Sequence, residues 1–392
     1  MVDSNEEDRP EEAALRAEIA AFMAEHAAPY GLASRHDRMH DEDDFAARAR
    51  GWQATLDGGG WGAPTWPVEF GGRALTPNQN RIFREEQGRY ALPIGMSMVA
   101  LTMVGPTLMA HGTPAQKERF LAPIRRGEHL WCQLFSEPDA GSDLASLRTR
   151  AERDGEEWVI TGQKVWTSGA KTADWGILLA RSEPGSKAHD GITYFVVDMH
   201  SAGVDVRPLV QINRAAHFNE VHLDGVRLPA DAVVGEGGEG WKVARTTLGA
   251  ERGAIASMDL TPRVRSVIEA ARRTGRLADD PVLRMDLVEA WVRATVVRLT
   301  SERVLSAVRA GGAPGPEAST LKLGLSTFLG RLGDLAMRAD PLTLLEGTGP
   351  DGYGELQDIF LSQWASKIGG GTEQMQRNMI AERALGLPRD PR

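Results

Sequence analysis

The sequence predicts an α+β fold in three parts, helical, then β, then helical, and three observations predict it. Apolar residues recur at three- and four-residue spacing in the first third, short β-type runs fill the middle, and helical spacing returns from Gly240 onward. The middle runs are not separated by helical crossovers, so a compact antiparallel barrel or sandwich is expected there, not a parallel dinucleotide-binding sheet. The expected boundaries are an acidic disordered tail over 1–12, an N-terminal helical domain over 13–127, a middle β domain over 128–239 and a C-terminal four-helix bundle over 240–392.

Taken in order, "MVDSNEEDRPEE" is polar and acidic, the opposite of a signal or transit peptide, and reads as a solvated tail. Leu15, Ile19, Phe22 and Met23 then mark the buried side of a helix. "GGGWGAPTWPVEFGG" has too many glycines and prolines for a regular element and reads as loop. In "HGTPAQKERFL", Thr113 can cap a helix, Pro114 suits its first turn and Gln116 completes a capping box. The β runs are "EWVITGQKVWTS", "WGILLAR", "GITYFVVDM", "VDVRPL" and "NEVHLDGVRL". After Gly240, four long helical patterns are punctuated by "GGAPGPEAS" and "EGTGPDGYGEL", the spacing of a bundle.

Bulk properties remove several function classes. With 392 residues and 42% hydrophobic content the chain can bury an ordinary core. Its single cysteine, Cys132, excludes internal disulfides and cysteine-based zinc sites, and reads as core filler in a reducing, cytoplasmic setting. A formal charge of −9 without a basic block argues against nucleic acid. No stretch approaches the roughly 18 apolar residues of a membrane span, so no integral membrane contact is expected. No metal site is expected either.

Three clusters have the composition of a site. In "LFSEPDAGSD", Ser136 and Ser142 flank a rigid Pro138 and a permissive Gly141, which suits wrapping a polar cofactor; two successive turns would read the same. In "GQKVWTSGA", Trp166 beside Thr167 and Ser168 offers a planar heterocycle both stacking and hydrogen bonds, although a strand tryptophan is commonly core. In "TLGAERGAI", Glu251 falls on a stripe with Trp241, Ala244, Leu248 and Ile255. A carboxylate there is either a base whose pKa burial raises, or half of a buried ion pair with a neighbouring arginine.

In this order and at these separations the clusters resemble the acyl-CoA dehydrogenase family of flavoproteins, over nearly the whole chain. "SEPDAGSD" resembles the family's TEPxxGSD signature with Ser136 for threonine, "GQKVWTSGA" its GxKxWITNG segment, and "GGGTEQMQRNMIAERALG" its closing signature. The resemblance implies FAD as cofactor, an acyl-CoA thioester as substrate, a trans-2-enoyl-CoA as product and an electron-transfer flavoprotein as electron acceptor. It assigns Phe135, Ser136, Trp166, Thr167 and Ser168 to the flavin, with Gly141 in the same loop and Ser142 between flavin and acyl-CoA. Thr372 and Gln374 match positions that meet the flavin from the other side. The chain resembles actinobacterial-type members, some of which act on steroid-derived thioesters.

Many members carry the catalytic glutamate just before the Gly-Thr of the closing signature, where this chain has Gly370. Others, such as isovaleryl-CoA and long-chain dehydrogenases, place it on the first long C-terminal helix before an arginine, the arrangement of "AER" at 250–252. The resemblance therefore makes Glu251 the base and Arg252 a contact for the CoA portion. It leaves Gly370 as a backbone donor to the thioester oxygen, next to Gly371 at the substrate. A flexible joint at "IGGGT" is the competing expectation.

Two family segments are missing. "ARRTGRLADDPVLR" lacks the Phe-Gly of the adenine-binding segment, and "LLEGTGPDGYG" offers only Gly347 and Gly349 in place of Gln-x-x-Gly-Gly-x-Gly. The chain is thus expected to work as a homodimer or homotetramer, or in an α2β2 pair with a paralogous subunit that supplies the distal contacts. A non-catalytic subunit, and an oxidase or monooxygenase on the same fold, are the other functions the resemblance allows.

Overall fold

The computed structural model describes residues 9–31, 42–256, 260–309, 317–342 and 354–389. They fall into two compact units, Met1–Leu209 with Ala216–Leu248, and Val210–Ala215 with Gly249–Arg392.

The first unit opens with helices α1 (Pro10–His26), α2 (Glu42–Gly58) and α3 (Pro77–Gly88). The expected tail over 1–12 is thereby corrected at its end, since Pro10, Glu11 and Glu12 are already helical; residues 1–8 lie outside the described residues. Arg9 explains the early start. Its N–H and guanidinium both donate to the Glu12 carboxylate, at 3.1 and 2.9 Å, and acidic residues in a first turn face the helix's free amides. Ile19, Met23, Trp52, Trp61 and Ile82 form a core among these helices.

The glycine-rich stretch between α2 and α3 is a loop with one short 3₁₀ turn at Val68–Phe70, and it is anchored by two buried tryptophans, Trp61 and Trp66. Trp66 donates its indole N–H to the Leu101 carbonyl at 2.9 Å. A Cβ on Gly105 would sit 2.1 Å from the Trp66 ring, so a residue without a side chain is required there. Gly105 lies in a helical rod made of α4 (Met96–Val99), a π turn over Ala100–Val104 and α5 (Gly105–His111). The next helix, α6 (Pro114–Arg125), carries the capping box read from its sequence: the Thr113 hydroxyl accepts the Gln116 N–H at 3.2 Å and the Gln116 side chain accepts the Thr113 N–H at 3.0 Å.

Seven strands follow: β1 (Trp131–Leu134), β2 (Arg150–Asp154), β3 (Glu157–Ser168), β4 (Trp175–Arg181), β5 (Ile192–Asp198), β6 (Val204–Leu209) and β7 (Phe218–Pro229). They form one sheet in the order β1-β4-β2-β3-β7-β6, with β5 on the other side of β4. Pairing is antiparallel except where β4 meets β1 and β2, two parallel contacts that hydrophobic patterning does not encode.

Both faces are covered, and alternation along β4 and β5 separates them. Ile177, Leu179 and Tyr194 pack with helical residues such as Val104 and Phe120, while Leu178, Phe195 and Val197 pack against Ile160, Val221 and Leu223 of other strands. A second core built from strand residues and their connecting loops means that the sheet curls around itself. Cys132 is fully buried in it, and burial pushes its thiol far up, so it is core as expected.

Helix α7 (Gly240–Ala256) leads from the first unit into the second. The second unit is built on α8 (Thr261–Arg273), a short α9 (Arg276–Asp279), α10 (Pro281–Arg309), α11 (Glu317–Ala339), α12 (Glu355–Ile368) and α13 (Glu373–Met379). Its core takes Val264 and Val267 from α8, Leu283 and Leu287 from α10, Leu325, Phe328 and Leu332 from α11, and Leu356 and Ile359 from α12. These are the i, i+3, i+4 positions of a four-helix bundle. Gly333 on α11 lets α12 come close, since a Cβ there would meet the Gln363 side chain at 2.6 Å.

Candidate functional site

In the first unit, the loop 134–143 and strand β3 meet through a buried ion pair. Lys164 is fully buried, and its ammonium donates to the Glu137 carboxylate at 2.8 Å and to the Phe135 carbonyl at 3.0 Å. Glu137 also accepts the Thr149 hydroxyl at 2.6 Å and the Thr149 and Arg148 N–H groups at 2.9 and 2.6 Å. Burial alone would raise the Glu137 carboxyl, but the Lys164 charge and these donors outweigh it and hold the group below its usual range. Burial pulls Lys164 down to about 8 against the pull of Glu137, so both are charged at neutral pH.

That pair fixes the loop's shape. Glu137 and Ala140 exchange backbone hydrogen bonds at 3.1 Å, and the turn they close presents Gly141 and Ser142 exposed to solvent. Phe135 is buried, its ring edge-on to Tyr194 with centroids 5.9 Å apart. Ser136 is half-buried and its carbonyl accepts the Val165 N–H at 2.9 Å.

The next residue after Val165 breaks the strand. Lys164 pairs with Val221 and Thr167 with Asn219, so two residues of β3, Val165 and Trp166, face one of β7. This bulge puts Trp166 at φ +61°, a conformation uncommon for a bulky residue, and leaves the ring 60% exposed, edge-on to Phe218 at 5.9 Å. Trp166 is therefore not the core tryptophan that its place on a strand allowed. Ser168 is exposed beside it, whereas Thr167 is buried and its hydroxyl has no hydrogen-bond partner among the described residues. An exposed flat ring, the exposed hydroxyls of Ser142 and Ser168 and an unsatisfied buried hydroxyl fit a planar, polar heterocycle such as a flavin.

In the second unit the remaining candidates lie on α7, α11, α12 and α13. Along α7 the buried positions are Val243, Ala244 and Thr247, with Trp241 and Leu248 half-buried; half-buried Glu251 continues that face one turn beyond Thr247. The side chains of Arg252 and Ile255 lie outside the described residues, as do Gly347 and Gly349. The segment without Phe-Gly is a turn at Gly275, φ +78°, between α8 and α9.

Helix α12 stops at Ile368, and the chain turns through Gly370 and Gly371 at φ +66° and +90°. The Gly369 N–H reaches the Ala365 carbonyl at 2.8 Å, the last helical bond. A continued helix would bind the Gly370 N–H to the Ser366 carbonyl. Instead that carbonyl accepts the Lys322 ammonium at 2.6 Å, and among the described residues no hydrogen bond takes up the Gly370 N–H. Buried Gln376 donates to the Gly370 and Gly371 carbonyls at 3.3 and 3.5 Å, so the turn is held and is not a loose joint. Thr372 caps α13 by accepting the Met375 N–H at 3.2 Å, and Gln374 is exposed in its first turn.

Lys322, from α11, is buried to 6% exposure. Burial pulls its ammonium below the ordinary lysine range, while the Glu373 and Glu251 carboxylates hold it up. Lys322, Gln376, Glu137 and Lys164 were not anticipated as site residues. One signal existed: Lys164 stands on the inward alternation of β3 with Trp158 and Ile160, where a charge must find a buried partner.

Three family models cover the chain: the acyl-CoA dehydrogenase N-terminal domain over 9–128, the middle domain over 132–226 and the C-terminal domain over 238–385. A Mycobacterium tuberculosis protein described as acyl-CoA dehydrogenase IpdE1 is 42% identical over 96% of this chain and 98% of its own length. Acyl-CoA dehydrogenase FadE34 of the same organism is 39% identical over 97% of this chain and 50% of its own. Among solved structures, one titled "Tcur3481-Tcur3483 steroid ACAD" has a TM-score of 0.84 and 30% identity, covering 97% of this chain and 99% of that one. The ChsE4-ChsE5 complex from M. tuberculosis has a TM-score of 0.82 and 28% identity, with the same coverage.

Proposed function

This chain belongs to the acyl-CoA dehydrogenase family of FAD-dependent oxidoreductases, and from that premise we propose that it desaturates an acyl-CoA thioester to the trans-2-enoyl-CoA with Glu251 as base. The Glu251 carboxylate takes the α-proton. The Gly370 N–H donates to the thioester oxygen and makes that proton acidic. When bound, the flavin would supply the acceptor for the β-hydride, with an electron-transfer flavoprotein as the onward electron acceptor. Phe135, Ser136, Gly141, Ser142, Trp166, Thr167, Ser168, Thr372 and Gln374 hold the cofactor, with Ser142, Arg252 and Gly371 also meeting the substrate.

The observation that carries this reading is that half-buried Glu251 and the turn whose Gly370 N–H no hydrogen bond takes up among the described residues belong to the same unit, with the buried Lys322 ammonium on the Ser366 carbonyl at the end of α12 just before that turn. Gly370 has no side chain to act as base, and Glu251 is the carboxylate that stands on α7 immediately before an arginine, as in family members with the base on that helix. The test is Glu251→Gln. It should keep FAD and lose about 10²–10⁴-fold in kcat; turnover at the wild-type level would end the assignment.

For substrate, we infer a bulky, steroid-derived acyl group, supported by solved neighbours whose titles call them steroid ACADs. Bleaching of the flavin by a panel of CoA esters, from short straight chains to ring-bearing side chains, tests it. The assembly is inferred to be oligomeric, either of one chain or paired with a paralogous subunit. Heteromeric neighbours support it, as do exposed Val282, Met285, Val288, Val292, Val296 and Leu299 along one side of α10. No helix among the described residues is long and apolar enough to cross a membrane, and none of their acidic, histidine or cysteine groups cluster as a metal site.

A further inference from the structure

Three buried hydroxyls that the chemistry does not use meet where β5, α5 and α7 converge. Thr107 is 1% exposed, and Tyr194 and Thr247 are fully buried. The Thr107 hydroxyl lies 2.8 Å from the Met103 carbonyl and 2.9 Å from the Thr247 hydroxyl, which in turn lies 3.1 Å from the Tyr194 hydroxyl. A carbonyl only accepts and each hydroxyl has one proton, so these contacts are satisfied in one direction. Tyr194 donates to Thr247, Thr247 to Thr107, and Thr107 to Met103. The Val243 carbonyl is the longer alternative for Thr247, at 3.4 Å. The chain ends on a peptide carbonyl and burial pushes the Tyr194 phenol up, so it holds positions and carries no proton. Beside it, His111 of α5 meets the Thr246 hydroxyl at 2.7 Å, which ties the same turn of α7 to the same helix.

We propose that Tyr194 and Thr247 are positioning residues of the reaction, which fix the base helix α7 against the flavin loop through this chain of hydrogen bonds. This rests on the assignment of Glu251 as base and of Phe135 to the flavin. Tyr194 touches both elements. Its ring packs edge-on against Phe135 with centroids 5.9 Å apart, and its hydroxyl reaches Thr247, one helical turn before Glu251 on α7. Thr247 is also the last fully buried residue of α7 before Glu251, since residues 248 to 251 are half-buried. The other buried side chains of this helix face, Val243 and Ala244, are apolar, and apolar packing is non-directional. A hydrogen bond has a direction, so Thr247 sets the rotation of α7 about its axis. The regular backbone carries that rotation on to residue 251. Stability does not require these hydroxyls, because apolar groups of the same shape, substituted for all partners together, pack nearly as well. What a satisfied buried network adds is one unique arrangement.

Replacing the whole chain of hydroxyls separates positioning from packing. In Thr107→Val/Tyr194→Phe/Thr247→Val no hydroxyl is left without its partner and the ring against Phe135 is kept, so melting temperature and FAD content should match the wild type. Turnover should not: kcat should fall about 10- to 10²-fold at unchanged KM, as a displaced base requires. Thr247→Ser keeps the hydroxyl and should hold the wild-type kcat. Amide hydrogen exchange of residues 247–251, which needs no turnover, should quicken in the triple variant and stay at the wild-type rate in Thr247→Ser. A triple variant with wild-type kcat, or with wild-type exchange over 247–251, overturns the proposal, and so does a Thr247→Ser variant that loses as much kcat as the triple. Should the triple variant fail to fold, Tyr194→Phe alone is judged by the same kcat and exchange readouts. If Glu251→Gln retains turnover, the base assignment is what fails, and the exchange rate still decides whether these hydroxyls anchor α7.

Discussion

The Lys164 ammonium lies 2.8 Å from the Glu137 carboxylate and 3.0 Å from the Phe135 carbonyl, so one buried charge ties the loop 134–143 to strand β3. Removing one partner of such a pair strands the other. Lys164→Met should cost about 3–5 kcal/mol, seen as a lower unfolding midpoint of the first unit, and on the proposed assignment of loop 134–143 to the flavin it should also release FAD. Glu137 gives this a pH signature. Its folded value lies below the ordinary 4.5, so the unfolded chain binds more protons as pH falls past that value, and stability present above it is lost as pH drops through the folded value. Glu137→Gln should flatten that acid-side slope in melting temperature; an unchanged slope would separate the group from acid unfolding.

What could be read from the sequence, and what could not, divides along the same line. Local chemistry was legible: the Thr113–Gln116 box depends on neighbours in the chain, and the burial of Cys132 follows from the apolar character of a lone cysteine. The site loops were legible as compositions. Their geometry was not, because Trp166 is turned outward by the register of β3 on β7, a property of two strands fifty residues apart in sequence. Lys322 was invisible for a related reason. A lysine among leucines on a long helix reads as a solvated face until α12 and α13 are laid against it.

Trp166 supports a prediction in which stability and binding part company. At φ +61° a tryptophan pays conformational strain of about 1–2 kcal/mol that a glycine does not. Its ring is mostly exposed, so little burial is lost on removal. Trp166→Gly should leave the melting temperature of the cofactor-free protein unchanged or higher, while FAD content after purification drops. A large loss of stability in the cofactor-free protein would instead make the ring a packing residue.

Gly370 and Gly371, the left-handed glycines of the turn after α12, are open to mutagenesis. Both are left-handed, so alanine costs each about 1–2 kcal/mol. At Gly371 the added Cβ would also sit 2.7 Å from the Gln376 amide nitrogen, the group that donates to the carbonyls of this turn. Gly371→Ala should therefore lower the unfolding midpoint by more than the backbone strain alone, and Gln376→Ala should remove that excess. An excess that survives in the Gln376→Ala background would mean that Gln376 is not the group the new methyl meets.

The exposed side of α10 makes the last prediction. Val288, Val292 and Val296 follow at four-residue intervals and Met285 and Leu299 extend the line by three, which places them on one side of a 29-residue helix. Each is 51–64% exposed. A contiguous apolar stripe of this length is what an assembly interface buries, and water penalises it by about 25 cal/mol for each Å² left open. Val292→Lys, at its centre, should lower the particle mass measured by light scattering at a given concentration and leave the helical circular dichroism unchanged; Val292→Ala should do neither. If a neighbouring subunit supplies the distal FAD contacts that "ARRTGRLADDPVLR" lacks, the dissociated Val292→Lys protein should also lose FAD. Retention of FAD by the monomer would place every cofactor contact within one chain, and an unchanged mass would take α10 out of the interface.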